Sequence, residues 1–203
     1  MKKKLFSFAI CLSAAAMWSC NNSGESTATS DSTTHASSTD TTGNMATNNP
    51  STTQPMNNTP LSKADSNFVM EAAVGGLMEV KAGQVAQQNA QSQRVKDFGN
   101  MMVTDHSKAN DELKSYASGH GITVPDSLPK AKQKEIDAMS KMKGSAFDKH
   151  YVSMMVQDHQ KDVAEFKKQS TGARDDQLKT WVTNTLPVLQ KHLDSIQAIR
   201  KGM

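Results

Sequence analysis

Cysteine is almost absent from this sequence. Of 203 residues only Cys11 and Cys20 carry a thiol, and both lie within the first twenty. The rest of the chain has no thiol for a disulfide, a metal or nucleophilic attack. Aromatic residues are scarce too, at 5%, and the two Trp and two Tyr are scattered. The formal charge of +3 comes from charges interleaved in sign. A nucleic-acid surface needs clustered Lys and Arg, so no nucleic-acid partner is expected. Sustained period-two alternation is missing, which argues against a sheet. A glycine-rich phosphate loop and a defensible Ser/His/Asp spacing are missing as well, so an enzyme is the weakest functional reading. Gly75 and Gly76 fall inside a helical pattern and read as a close helix contact.

Only 36% of residues are hydrophobic, and the shortfall is concentrated in the first third. The opening "MKKK" and the apolar "LFSFAICLSAAAMW" read as a secretory leader, since the apolar run is too short to span a bilayer. The segment "MWSC" resembles the lipobox of bacterial lipoproteins. It assigns residues 1–19 to a signal peptide and makes Cys20 the lipid-bearing residue; an ordinary signal peptide cut nearby is the alternative. The expected location is the cell envelope, as a periplasm-facing lipoprotein of the outer membrane held by its N-terminal lipid. Residues 20–62 are Ser, Thr, Asn, Gly and Pro with scarcely a charge. Such a stretch buries too little apolar area to offset ordering and is expected to be a disordered tether, spanning on the order of 35 Å. His35 lies in it and reads as solvated.

Residues 63–203 read differently. Four long segments repeat apolar residues every three or four positions. About 65–89 aligns Phe68, Val69, Ala72, Ala73, Gly76, Val80 and Gly83. About 93–118 aligns Val95, Phe98, Met102, Ala109, Leu113 and Tyr116, ending at "SGHG", where His120 reads as an exposed turn residue. About 145–170 aligns Tyr151, Val152, Met155, Val163 and Phe166. About 175–201 aligns Leu178, Trp181, Val182, Leu189, Ile196 and Ile199, with Pro187 expected to kink it. A short helix is expected over about 129–142. Short links join the first and second segments and the third and fourth, and a long one joins the second and third. This pattern predicts an all-α, ferritin-like four-helix bundle with a long crossover that contains the short helix.

The segment "MMVTDH" (101–106) recurs as "MMVQDH" (154–159), a constant offset of 53 residues that is about one helical hairpin of chain. Helical spacing puts His106 and His159 on the apolar stripes of their helices. Glu79 and His192 occupy equivalent positions on the first and fourth segments. Glu79, His106 and His159 fall near the middle of their helices, and His192 is expected about one turn off that level, roughly 5–7 Å. Buried ionisable groups need partners. Either Glu79 accepts hydrogen bonds from the histidines in a purely structural network, or Glu79, His106, His159 and His192 hold one Zn, Cu or Fe ion. Asp105 and Asp158 would then orient neighbouring rings. Met102 and Met155 lie one turn from the twin histidines and are soft ligand candidates for copper, though methionine at helical spacing is more often core filler. The metal reading makes the domain a binding module in metal or stress handling. The other makes it an envelope protein that acts through its surface, with an unknown partner.

The blocks "FVMEAAVGGLMEVKAGQVAQQNA", "MMVTDHSKANDEL", "FDKHYVSMMVQDHQKDVAEF" and "LPVLQKHL", in that order, resemble the bacterial domain-of-unknown-function family 4142. The resemblance runs from about residue 65 to 200. It implies a ferritin-like helical bundle, usually exported, without an established activity. Positions matching the family pattern are Glu79, Asp105, His106, Asp148, Tyr151, Asp158, His159, Pro187 and His192. The wider ferritin-like superfamily suggests di-iron chemistry, but Val103 and Val156 stand where its Glu-x-x-His motifs need glutamate, so no ferroxidase or oxygenase centre is expected.

Overall fold

The structure, a computed structural model, describes residues 60–203; the leader, Cys20, His35 and the tether as far as residue 59 lie outside them. Five helices follow one another: α1 (Lys63–Asn89), α2 (Gln93–Gly119), α3 (Lys130–Ser140), α4 (Gly144–Gly172) and α5 (Asp176–Lys201). There is no strand among the described residues. Ser62 Oγ accepts from Asp65 N at 3.1 Å, and Asp175 Oδ1 accepts from Leu178 N at 2.8 Å. Each cap satisfies one of the N–H groups that a first helical turn leaves open. At the far end of α2, Gly121 takes φ 70°, which lets Ile122 N donate back to Ala117 O at 2.9 Å. α5 runs on through Pro187.

Packing and polar contacts define the topology. α1 lies against α2 and α4, and α5 against α4 and α2, so the four long helices close a ring in the order α1, α2, α5, α4. The N-terminal end of α2 meets the C-terminal end of α5 through Arg94 Nη2 donating to Ala198 O at 3.1 Å. Their opposite ends meet through Tyr116 OH donating to Asp175 Oδ1 at 2.9 Å. α1 and α4 are fastened at both ends by buried polar side chains. Asp65 accepts from Gln169 Nε2 (2.7 Å) and from Arg174 N (3.2 Å). Asn89 Nδ2 donates to Ser140 O and Met142 O at 2.8 and 2.9 Å. Asp148 accepts from Gln91 N (3.0 Å) and Ser92 N (2.9 Å), clamping the α1–α2 link onto the start of α4. Neighbours in the ring are therefore all antiparallel, and the chain crosses the bundle's length once between α2 and α4. This is the ferritin-like arrangement that the link lengths predict. No described helix is long and apolar enough to cross a membrane.

The core is built from the predicted stripes, with Val69, Val95, Met102, Leu113, Tyr151, Met155, Leu178, Val182 and Ile196 fully or almost fully buried. Each such aliphatic or aromatic side chain contributes about 1.5–3 kcal/mol of transfer free energy. On α1 the inner face is broader than its stripe suggests. Met78, Ala82 and Ala86 are buried while Phe68 and Val80 are only half-buried, because α1 packs against α2, α3 and α4 at once. His120 departs from expectation: its side chain is 3% exposed, covered by the Tyr116 ring with centroids 4.6 Å apart. The turn folds back over the end of α5 instead of projecting into solvent.

Two glycine contacts bring α1 and α2 close together. A Cβ on Gly83 would lie 2.5 Å from Gly99 O, and one on Gly99 would lie 2.9 Å from Gly83 O; one on Gly76 would collide with the Asn110 side chain. These contacts flank Glu79 on α1 and His106 on α2. Alanine at Gly83 gains about 1 kcal/mol of helix propensity, but parting the two backbones costs about 1–3 kcal/mol. Gly83→Ala is thus expected to lower the melting temperature. Gly75→Ala, whose Cβ meets nothing within 4 Å, is expected to raise it. Calorimetry in which both variants move in the same direction would refute the close-packing account.

Candidate metal centre

Glu79 of α1, His106 of α2, His159 of α4 and His192 of α5 meet inside the ring. Glu79 is 4% exposed, His106 6%, and His159 and His192 0%. The ring centroids of the three histidines lie 5.3–5.8 Å apart. One ring nitrogen from each lies within 4.8 Å of the other two.

The outer hydrogen bonds fix where the protons sit. His159 Nδ1 lies 3.0 Å from Met155 O. A carbonyl only accepts, so Nδ1 carries the proton and Nε2 of the neutral ring is a bare lone pair. His192 Nε2 lies 2.8 Å from Asp105 Oδ2 and donates to it, which leaves Nδ1 bare. His159 Nε2 and His192 Nδ1 then face each other at 3.4 Å with no proton between them. His106 Nδ1 lies 2.9 Å from Glu79 Oε2, and its Nε2 has no partner. Assigning the proton to Nδ1 leaves no bare N–H in the cluster and supplies a third lone pair. Glu79 Oε1 is 3.4 Å from His159 Nε2 and is also without a hydrogen-bond partner.

Electrostatics keep these nitrogens unprotonated. Burial pushes the His106 imidazole down to about 4, against the opposing charges of Asp162 and Asp105. Burial likewise lowers His159, with Glu79 opposing, and His192, with its hydrogen bond to Asp105 opposing. Burial pushes the Glu79 carboxyl up to about 7; His159 opposes the rise and Asp158 adds to it. The Glu79–His106 contact near neutrality is therefore a hydrogen bond from an uncharged ring and not an ion pair.

Such a donor set fits a transition-metal ion. Zinc binds imidazole nitrogen at about 2.0–2.1 Å, which places two ligating nitrogens about 3.4 Å apart at a tetrahedral angle. The His159–His192 separation already matches. Each of the three rings is held at its other nitrogen by an acceptor, as ligating histidines usually are.

The geometry also departs from the sequence-based expectations. His192 stands level with the other rings and not a turn away, because contacts at the helix ends set the height of α5 and its midpoint does not. Asp105 orients His192, whereas Asp158 orients no ring. The helix beside α4 at that level is α1, which presents the carboxylate of Glu79 and no N–H to accept from. Asp158 lines an outer cleft instead, and the Met155 carbonyl does its expected work on His159. Met102 and Met155 are wholly buried in the core. The twin motifs sit on diagonal helices running the same way, one from each hairpin but in different hairpin positions, a placement that tandem duplication of a hairpin would not give.

Asp162 is a residue the sequence reading passed over. Its carboxyl, Glu79 and His159 offer ligand atoms within 4.8 Å of one another. Burial raises it to about 8, with the charges of Glu79 and Asp158 adding to the effect. The signal was its position three residues after His159, which puts it on the same helix face. A cleft of about 540 Å³ between α1, α3 and α4 reaches this point, floored by Glu79 and Asp162. A smaller pocket of about 50 Å³ borders His106 and Asn110.

The model of the family described as "Domain of unknown function (DUF4142)" matches residues 50–199. Comparison with curated proteins finds no match. Among solved structures, a DUF305 fragment from Deinococcus radiodurans superposes with a TM-score of 0.62 at 10% identity, covering 71% of this chain and 100% of its own. CopM in its Cu(I)-bound form gives a TM-score of 0.57 at 15% identity, and in its Cu(II)-bound form 0.55 at 12%. Each covers 68% of this chain and 96% of its own. At these identities the likeness is one of fold.

The titrating groups of the centre oppose one another. Between about 6.5 and the lowered folded values, near 4 for His106, the unfolded chain binds protons that the folded histidines refuse, so stability falls as pH falls. Glu79 between 4.5 and about 7, and Asp162 between 3.8 and about 8, hold protons in the fold that the unfolded chain has released, so their contribution falls as pH rises. The melting temperature of metal-free protein is expected to peak between about pH 6 and 7, and Glu79→Gln to flatten the alkaline limb. A melting curve unchanged by that substitution would contradict the assignment.

Proposed function

The chain belongs to the DUF4142 family, and from that footing we propose that its bundle is a binding module for one transition-metal ion. His106 Nε2, His159 Nε2 and His192 Nδ1 are the ligands, with Glu79 Oε1 as the fourth. The observation that carries this reading is the 3.4 Å approach of His159 Nε2 to His192 Nδ1, each left with a lone pair by the hydrogen bond at its ring's other nitrogen. Without a cation between them they repel in a region where burial disfavours the proton that would otherwise separate them. Neutral imidazoles suit Zn, Cu and Fe. Copper is the first ion to test, because CopM carries copper on the same fold and because Met102 and Met155, buried one helical turn before His106 and His159, bring thioethers into the same core. The module's role is metal or stress handling in the envelope, where Cys20 tethers it to the membrane by a lipid.

A second reading has its own support. The hydrogen bonds Glu79–His106, His192–Asp105 and His159–Met155 satisfy one side of each ring. A network of this kind can serve the fold alone.

The two readings separate on metal. Protein prepared without chelator is expected to carry about one equivalent of ion, lost in the His106→Ala/His159→Ala double variant. Copper at about a hundredfold over its Kd is expected to stabilise the native protein by about 2.7 kcal/mol. Elemental analysis that finds no metal, with a melting temperature indifferent to added copper and zinc, leaves the structural network standing. Cys20→Ser is expected to move the protein from the membrane fraction to the soluble fraction of the envelope; retention in the membrane would remove the lipid anchor.

A further inference from the structure

Two donor sets overlap at one residue. His159 belongs both to the deep trio with His106 and His192 and to an outer trio with Glu79 and Asp162. The deep trio is buried, with only a pocket of about 50 Å³ beside His106, whereas Asp162 is half-buried and opens onto the larger cleft between α1, α3 and α4. Glu79 lines that cleft; its Oε1 is buried, has no hydrogen-bond partner, and lies 3.4 Å from the shared His159 Nε2. That nitrogen in turn lies 3.4 Å from His192 Nδ1. The cleft walls carry five carboxylates against two lysines, so the local field draws cations inward.

Resting on the metal reading above, we infer that this cleft is the ion's way in and out, and that Glu79 Oε1 with Asp162 forms a staging site from which the ion passes to the deep histidines through His159. The ion keeps two ligands throughout, His159 Nε2 and Glu79 Oε1. It meets two carboxylate oxygens and His159 Nε2 first, then exchanges the Asp162 oxygen for imidazole nitrogen. The cleft's ligand is a bare divalent or monovalent metal cation, since its lining offers carboxylate oxygen and the thioethers of Met70, Met78 and Met154.

A staging site changes rates and leaves the end point alone. Copper(II) uptake by the purified protein, followed by quenching of tryptophan fluorescence in stopped flow, is the test, with Kd measured separately by titration. Asp162→Asn is expected to slow uptake by about tenfold or more and to slow release in step, so that Kd holds. Gly75→Phe, which fills the cleft from a position with open space around its Cβ, is expected to slow both likewise. His192→Ala is expected to keep weak binding that the further change Asp162→Asn abolishes. Circular dichroism confirms that each variant is folded. Wild-type uptake rates in both Asp162→Asn and Gly75→Phe overturn the inference while leaving the deep centre intact. A Kd that weakens in Asp162→Asn with an unchanged uptake rate also overturns it, making Asp162 a permanent ligand. Absence of copper binding in the wild-type protein removes the centre and the route together.

Discussion

The enclosure of three uncharged imidazoles and a carboxyl in the middle of a helical bundle is the constraint on which this structure turns. Burial strips the rings of water and lowers their proton affinity, and each ring has already committed one nitrogen to an acceptor on its own or a neighbouring helix. What remains is a set of electron pairs aimed at a common volume. A core can do without such a set, because apolar side chains of the same size often fill the space at no greater cost. The bundle instead spends close helix contacts at Gly76, Gly83 and Gly99 on bringing Glu79 and His106 together.

Much of this was legible in the chain. Periodicity located all five helices to within a residue or two, since the four long ones carry strong stripes and the caps at Ser62, Asp175 and Gly121 are chemically marked. Glu79, His106 and His159 were legible for the same reason: an ionisable side chain on an apolar stripe has nowhere to point but inward. The height of His192 was not, because spacing along one helix says nothing of how far that helix slides against its neighbours. Nor was the idle role of Asp158, which depends on which helix lies beside α4. Asp162 escaped notice because a half-buried aspartate next to lysine looks like an ordinary solvated position, and only the fold places it over Glu79. His120 was misjudged for a related reason, since its cover comes from Tyr116 and the start of α5.

The comparisons sharpen the fold more than the chemistry. A bundle shared at 10–15% identity with DUF305 and CopM is a scaffold, and scaffolds of this kind carry unrelated sites. The functional reading therefore rests on this chain's own rings and on what holds each of them in place.

The buried polar side chains at the two ends of the α1–α4 pair bear on more than register. Asp65 binds these helices at one extremity, Asn89 and Asp148 at the other, while midway a cleft opens between them outside the Glu79–His159 contact. Two rods lashed at both tips and parted by a cleft along their outer side can bow without coming apart. The α1–α4 seam can then give by small elastic bending, while the adjoining α1–α2 seam is held close by its glycines. Elastic give at mid-height of this helix pair thus needs no hinge or hanging loop.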